Sequence, residues 1–497
     1  MARPYLLWFA LVCASLTTFA TTCAGLHLKL THVDAKENCT TEERMRRAHR
    51  RLLQSTTSRS PRLLENQYIA ELLIGDPPQK AEVLVDTGSS LVWTQNDACS
   101  VCFRQNLPRY DPTRSRTAGT LACADAACAA GLGSVTQCGT GVHATECFVH
   151  TVYNAFDEIA GDLATDEFTF GSEKVTLAFG SVAGKKGGTL DGASGMVGLG
   201  RGPLSLVSQL GEARKFSYCL TPFFGDVLNP SHLLVGNSAV LTGGKASVTT
   251  VPFVKSPRED PYSGLYFVPL VGISVGKARL DVPAATFDLR ETKPGKWAGT
   301  VVDSGTSFMS LVDVAYQALK AELEAQLGAS LVLPPRTVLG RRPQLCVAQA
   351  DLTRLVPPMV LHFGNGGGDV VLPPENYWAP VGDDAACMAV FTSGGSIRSS
   401  PRNETTIIGS FMQQNMQVLF DLGKDELSFL PMDCSSFQPP PAGPPGGQAG
   451  NNGSGRKSSS PYSSSSGSSG SSALLPLPVF SLMSLLMLNG APGVRGF

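Results

Sequence analysis

The sequence predicts a mainly all-β chain folded as two related lobes, and three observations lead there. From Tyr68 to about Ser435, short β-branched runs alternate with Gly and Pro punctuation. The stretch Val85-Asp86-Thr87-Gly88-Ser89 recurs as Val302-Asp303-Ser304-Gly305-Thr306. Each copy follows an apolar approach, Val83-Leu84-Val85 or Thr300-Val301-Val302. Each is also followed, 112 and 106 residues beyond its aspartate, by two apolar residues and a glycine: Met196-Val197-Gly198 and Ile407-Ile408-Gly409. A repeat of this kind implies two similar units, each placing one acid at a strand end.

The chain has 497 residues, enough for two lobes and appendages. Its formal charge of -1 and 16% charged residues argue against a nucleic-acid binder, which carries a basic domain. The charge is uneven. Residues 1–65 hold ten Lys/Arg and five Asp/Glu, so the remainder is net acidic. Residues 1–24 read as a secretory signal, with Arg3, an apolar run from Tyr5 to Ala14, and small residues near Ala20 and Ala24. Residues 25–65 read as a removable basic prosegment whose arginines, in the stretch Glu42 to Arg51, would neutralise an acidic cleft.

The two lobes are placed at 66–250 and 251–436, the first with a Cys-rich insert at 99–147. One amphipathic helix is expected after Ser310, with Leu311, Val314, Ala315, Ala318, Leu319 and Leu323 on its buried face. Residues 437–472 form a Pro/Gly/Ser-rich linker, and 473–497 an apolar tail.

Export permits disulfides. Cys13 and Cys23 fall in the signal and Cys39 in the prosegment. Ten cysteines remain: Cys99, Cys102, Cys123, Cys128, Cys138, Cys147, Cys219, Cys346, Cys387 and Cys434. An even number in an oxidising compartment fits pairing. Zinc at Cys99-x-x-Cys102 is the rival reading, but no second pair of ligands matches it, so no metal is expected.

A lone Asp-Thr-Gly is weak evidence, because Asp and Gly are ordinary turn residues. Two copies in matched settings point to chemistry. Gly88 and Gly305 let the backbone fold tightly beside each acid. Thr87 and Ser304 can lock the two loops together, and Ser89 and Thr306 can orient the outer carboxylate oxygens. Two carboxylates held close cannot both ionise comfortably, so Asp86 and Asp303 share a proton over an acidic range. One can then deprotonate water while the other protonates a peptide carbonyl, with no cofactor.

These residues, together with Ile74-Gly75-Asp76-Pro77-Pro78, the Cys-rich insert, Gly198 to Ser205, Phe216 to Leu220, Gly272 to Gly276 and Ile408-Gly409 leading to Gln413-Gln414-Asn415, resemble the pepsin-type aspartic peptidases, and more closely their plant nepenthesin-like branch. The resemblance spans about 64–437. It implies a bilobal pepsin-like aspartic protease fold with the active site between the lobes, protein or peptide substrates, and a monomer. It also implies a hairpin flap carrying Tyr153, hydrogen-bonded to Trp93, and the pairings Cys219–Cys434 and Cys346–Cys387. A non-catalytic binding or inhibitor protein on the same fold is the alternative. Two departures stand out. The flap pattern Gly-Asp-Gly-Ser is replaced by Asn154-Ala155-Phe156-Asp157, and two expected cysteines are Asn96 and Ser181.

Other leads carry less. Gly272-Ile273-Ser274-Val275-Gly276 matches the serine-hydrolase pentapeptide, but Lys277 to Pro283 reads as strand and turn rather than the required helix. The seven histidines show no ligand spacing. Asn38, Asn403 and Asn452 begin glycosylation sequons. The linker, the small residues Ser463 to Ser472 and the apolar run Ala473 to Leu488 resemble a glycolipid-anchor signal, and the run is too short for a comfortable membrane span. The expected location is extracellular, membrane-attached through that anchor, with a soluble extracellular enzyme as the next alternative and a vacuolar one after it.

Overall fold

In the computed structural model, residues 25–32 and 68–440 are described, apart from 154–156, 188–189, 191, 212–213, 225–228, 243–247, 334–344, 382–383 and 394–403. The expected signal, most of the expected prosegment, the three sequon asparagines, the expected flap tip 154–156 and the chain from 441 onward lie outside the described residues.

The repeat is built as two matching strand pairs. Gln79–Asp86 runs parallel to Gly195–Gly198, bringing Asp86 level with Gly198. Thr300–Asp303 runs parallel to Thr406–Gly409, bringing Asp303 level with Gly409. The apolar approaches are buried on both faces, so they read as continuous hydrophobic runs rather than alternating ones. Val83 and Val85 join one core cluster while Leu84, on the opposite face, joins another.

Fifteen strands among the described residues form one large sheet, and the chain's second half contributes to it. Lys215–Cys219 pairs with Ser231–Val235 on one side and Met416–Asp421 on the other. Met416–Asp421 continues to Glu426–Pro431, which pairs with Thr249–Pro252. Phe216 stacks on Phe420 with ring centroids 4.5 Å apart, and Tyr266 meets Phe420 edge-on at 4.8 Å. Cys219–Cys434 fastens this region covalently across 215 residues.

The helix forms over Asp313–Leu327 and buries Ala315, Leu319, Leu323 and Leu327. Two expected members of its apolar face sit elsewhere. Leu311 ends the strand Met309–Leu311, and Val314 is half exposed, because the helix starts beyond Val312 and turns that position outward.

Residues 26–32, which composition assigns to the prosegment, form a strand lodged between Tyr68–Ile74 and Ser231–Val235, with Leu26, Leu28 and Leu30 buried. On its other face His27 stacks on His232, Nε2 to Nδ1 at 2.9 Å. Burial, then His27, then Lys29 lower His232 to about 4, and burial and Lys29 also lower His27. Between an unfolded value near 6.5 and about 4, the unfolded chain binds protons that the folded one refuses. Stability is therefore full above that window and falls as pH drops through it. Thermal unfolding at pH 7 and pH 4 should show His232→Leu losing less stability than the parent, by about 1–2 kcal/mol once exposure is allowed for.

The ten cysteines pair as Cys99–Cys102, Cys123–Cys138, Cys128–Cys147, Cys219–Cys434 and Cys346–Cys387. Asn96 and Ser181, the two departures from the cysteine pattern, face one another. The Asn96 amide donates to Ser181 Oγ at 3.1 Å, a polar contact where a covalent one is expected. The double variant Asn96→Cys/Ser181→Cys should oxidise on its own, losing two hydrogens by intact mass. Its unfolding free energy should rise by about 2–4 kcal/mol.

Candidate active site

Asp86 and Asp303 are both buried, at 8% and 2% exposure, each held by its own loop. Gly88 N–H donates to Asp86 Oδ1 at 2.8 Å, and Ser89 Oγ donates to Asp86 Oδ2. Gly305 N–H donates to Asp303 Oδ1 at 3.0 Å, and Thr306 Oγ1 donates to Asp303 Oδ2 at 2.8 Å. The two sets are related by the sequence repeat. In each, the glycine amide fixes the inner oxygen and the hydroxyl fixes the outer one.

The loops are locked to each other by the residues that follow the acids. Thr87 N–H donates to Ser304 Oγ at 3.1 Å, Ser304 N–H donates to Thr87 Oγ1 at 2.8 Å, and Ser304 Oγ donates to Val85 O at 3.2 Å. All three residues are buried, so each exchanged bond is shielded from water. The glycines have no room for a side chain. A methyl on Gly305 would lie 2.1 Å from Asp86 Oδ1 and 3.3 Å from Asp303 Oδ1; one on Gly88 would lie 2.6 Å from Asp303 Oδ1. The inner oxygens of the two acids therefore border the same small space.

Gly198 and Gly409 answer a related need. A methyl on Gly198 would lie 2.6 Å from Leu91 N, and one on Gly409 would lie 2.7 Å from Ser307 O and Thr306 O. Each glycine lets its strand pass close under the loop, where Leu199 N–H donates to Asp86 O and Ser410 N–H donates to Thr306 O, both at 2.8 Å.

Tyr153 and Trp93, the expected flap pair, are joined. Trp93 Nε1–H donates to the Tyr153 hydroxyl at 2.6 Å. Burial, and then the negative charge of Asp86, push the Tyr153 phenol far above its ordinary range, with the Trp93 bond opposing. Tyr153 thus lies within electrostatic reach of Asp86 and keeps its proton. Its hydroxyl accepts from Trp93 and has a proton to offer elsewhere.

Sequence reasoning assigned no role to Tyr218 and Gln413, which stand behind Asp303. The Tyr218 hydroxyl donates to Gln413 Oε1, and Gln413 Nε2 donates to Ile408 O at 2.9 Å. Burial first and Asp303 second hold the Tyr218 phenol well above its usual range. Both residues fall within stretches that carry the resemblance, but nothing in their spacing shows that they meet.

The serine-hydrolase pentapeptide is not an elbow. Leu270–Val275 turns at Gly276 into the strand Ala278–Arg279. Ser274 Oγ is 2.7 Å from His362 Nε2, and His362 Nδ1 is 2.7 Å from Asp369 Oδ1, forming a polar ladder across three neighbouring strands. The backbone at Ser274 and Val275 pairs with Val360 and Met359, so its amides serve the sheet rather than an oxyanion. Cys99 and Cys102, the zinc alternative, are bonded to each other.

Comparison with known proteins gives a consistent picture. Residues 68–237 match the family described as Xylanase inhibitor N-terminal, and residues 265–431 match Xylanase inhibitor C-terminal. Aspartic proteinase nepenthesin-1 of Nepenthes gracilis is 32% identical over 428 residues, covering 83% of this chain and 91% of that one. Aspartyl protease family protein 2 of Arabidopsis thaliana is 31% identical, covering 74% and 71%. Among solved structures, edgp superposes with a TM-score of 0.56 at 18% identity, covering 84% of this chain and 97% of that one. Basic 7S globulin from soybean superposes with the same score at 17% identity, covering 82% and 96%. At such identities the two structures speak to the fold alone.

Proposed function

We propose, from the premise that this chain belongs to the pepsin-type aspartic proteases of plants and is an aspartic endopeptidase, that Asp86 and Asp303 hydrolyse peptide bonds as a pair sharing one proton. The observation that carries this reading is the close approach across the repeat, where each acid's inner oxygen lies against the other loop's glycine. A water between the inner oxygens loses a proton to the ionised carboxylate as its oxygen attacks the peptide carbon. The protonated carboxyl supplies its proton to the carbonyl oxygen. When the carbon–nitrogen bond breaks, the leaving amine takes up a proton from the dyad. Ser89 and Thr306 keep the outer oxygens occupied, so the inner ones face the substrate. Tyr153 covers the bound peptide from the flap.

The test is a peptide-library digest by the activated protein across acidic pH, with and without pepstatin. Cleavage within chains at acid pH, abolished by pepstatin, is the expected result. A correctly folded preparation with no pepstatin-sensitive cleavage would overturn the reading. It would favour instead a binding protein on this fold, the alternative that the matched family description raises. Both Asp-Thr/Ser-Gly loops are intact, which favours the enzyme.

We also propose that the enzyme acts outside the cell, held at the membrane by a glycolipid added after removal of the tail. The support is the order of linker, small residues and a short apolar run in residues 437–497. Release from intact cells by a phosphatidylinositol-specific phospholipase is the expected result. A mature protein retaining peptides from 473–497 would refute it.

A further inference from the structure

Beside Tyr153 in the chain fold lies an ion pair that the dyad chemistry does not use. Lys185 Nζ is 3.1 Å from Asp157 Oδ1, and the two side chains are 2% and 6% exposed. A buried pair of charges is held only where surrounding groups fix it, and removing one partner takes the counter-charge from the other. Asp157 stands where the family pattern has serine, so the pair belongs to this chain's own departure from that pattern.

Its neighbours form a closed circuit around the flap tyrosine. Tyr153 N–H donates to Asp157 O at 2.9 Å, closing the hairpin at its root. Lys185 N–H donates to Val101 O at 3.0 Å, tying the pair to the start of the Cys-rich insert. The Lys185 ammonium stands 6.0 Å from the centre of the Phe103 ring. Phe103 packs edge-on against Trp93 at 6.2 Å, and Trp93 donates to the Tyr153 hydroxyl. The backbone of Tyr153 is therefore anchored through Asp157, and its hydroxyl through Trp93. Lys185 touches both routes.

We infer that Asp157 and Lys185 are positioning residues that hold Tyr153 in its substrate-covering pose, setting how tightly peptide is bound. The inference rests on the catalytic reading above. Without the ion pair the flap root opens more often, and only the fraction with Tyr153 in place binds productively, so the loss falls mainly on KM.

Lys185→Met should lower kcat/KM about tenfold or more, chiefly through KM, and should speed hydrogen exchange of the Phe148–Val152 amides. The decisive comparison is made in a Tyr153→Ala background, which removes the side chain being positioned, with active enzyme counted by pepstatin titration. If the pair acts through Tyr153, adding Lys185→Met there should cost less than about twofold more. Losses that multiply would show a general structural role and overturn the inference. Asp157→Asn keeps the side-chain shape and serves where Lys185→Met does not fold. Parental cleavage, measured first in the same preparations, keeps failure of the catalytic reading separate. Hydrogen exchange decides the flap question even in an inactive protein, and unchanged exchange in both variants overturns the inference.

Discussion

Asp86→Asn or Asp303→Asn alone should yield a folded protein whose peptidase activity is lower by about 10³-fold or more. On the proposed mechanism neither acid works by itself, since one accepts the water's proton while the other donates to the carbonyl. The amide replaces a carboxylate oxygen with a nitrogen of similar size. Each variant therefore keeps an oxygen for the glycine amide or the hydroxyl that now binds the carboxylate. Circular dichroism and thermal unfolding should match the parent while kcat/KM collapses. Turnover by either variant in a preparation free of parental enzyme would sink the dyad.

Gly305→Ala should be nearly as damaging, although it leaves every ionisable group in place. Its methyl would lie 2.1 Å from Asp86 Oδ1 and 2.7 Å from Asp86 Cγ, so the loop or the carboxylate must move. The same backbone amide holds Asp303, which means that a shift of the loop disturbs both acids. A displacement on the order of 1 Å at reacting groups costs about 10²-fold in rate. The overpacking itself lowers stability by about 1–3 kcal/mol. Gly133→Ala is the matched control. That glycine has a φ of +77°, and a methyl there meets nothing within 4 Å. It should lose about 1 kcal/mol of stability through backbone strain and none of the activity. Measuring kcat/KM and unfolding for both variants separates crowding at the dyad from strain in a turn.

The two matching acidic loops were legible because they are written twice. Asp86 and Asp303 each carry their own glycine and hydroxyl partners within three residues, and such local contacts follow from sequence alone. The exchange between Thr87 and Ser304 was also foreseeable, since related loops that meet must satisfy their hydroxyls. The Asp157–Lys185 pair was not, because 28 residues separate its members and only the strand pairing of 158–170 with 173–186 brings them together. Tyr218 and Gln413, 195 residues apart, were hidden for the same reason. The strand Leu26–His32 did leave a signal. Its leucines alternate with polar residues at period two, but the arginines further along dominate the composition of the segment.

The bond between Cys219 and Cys434 makes a covalent loop of much of the molecule, including Asp303 and all that supports it. A protease works among proteases, its own copies included, and surface loops are where such enzymes cut. A single nick anywhere between residues 219 and 434 would leave both pieces on one thread. The severed ends would stay at the high local concentration that a tether confers, and the strands on either side could remain paired. Such a molecule should run as one species under oxidising conditions and fall into fragments only on reduction. Working life would then be set by how many cuts in its surface loops the tethered molecule tolerates.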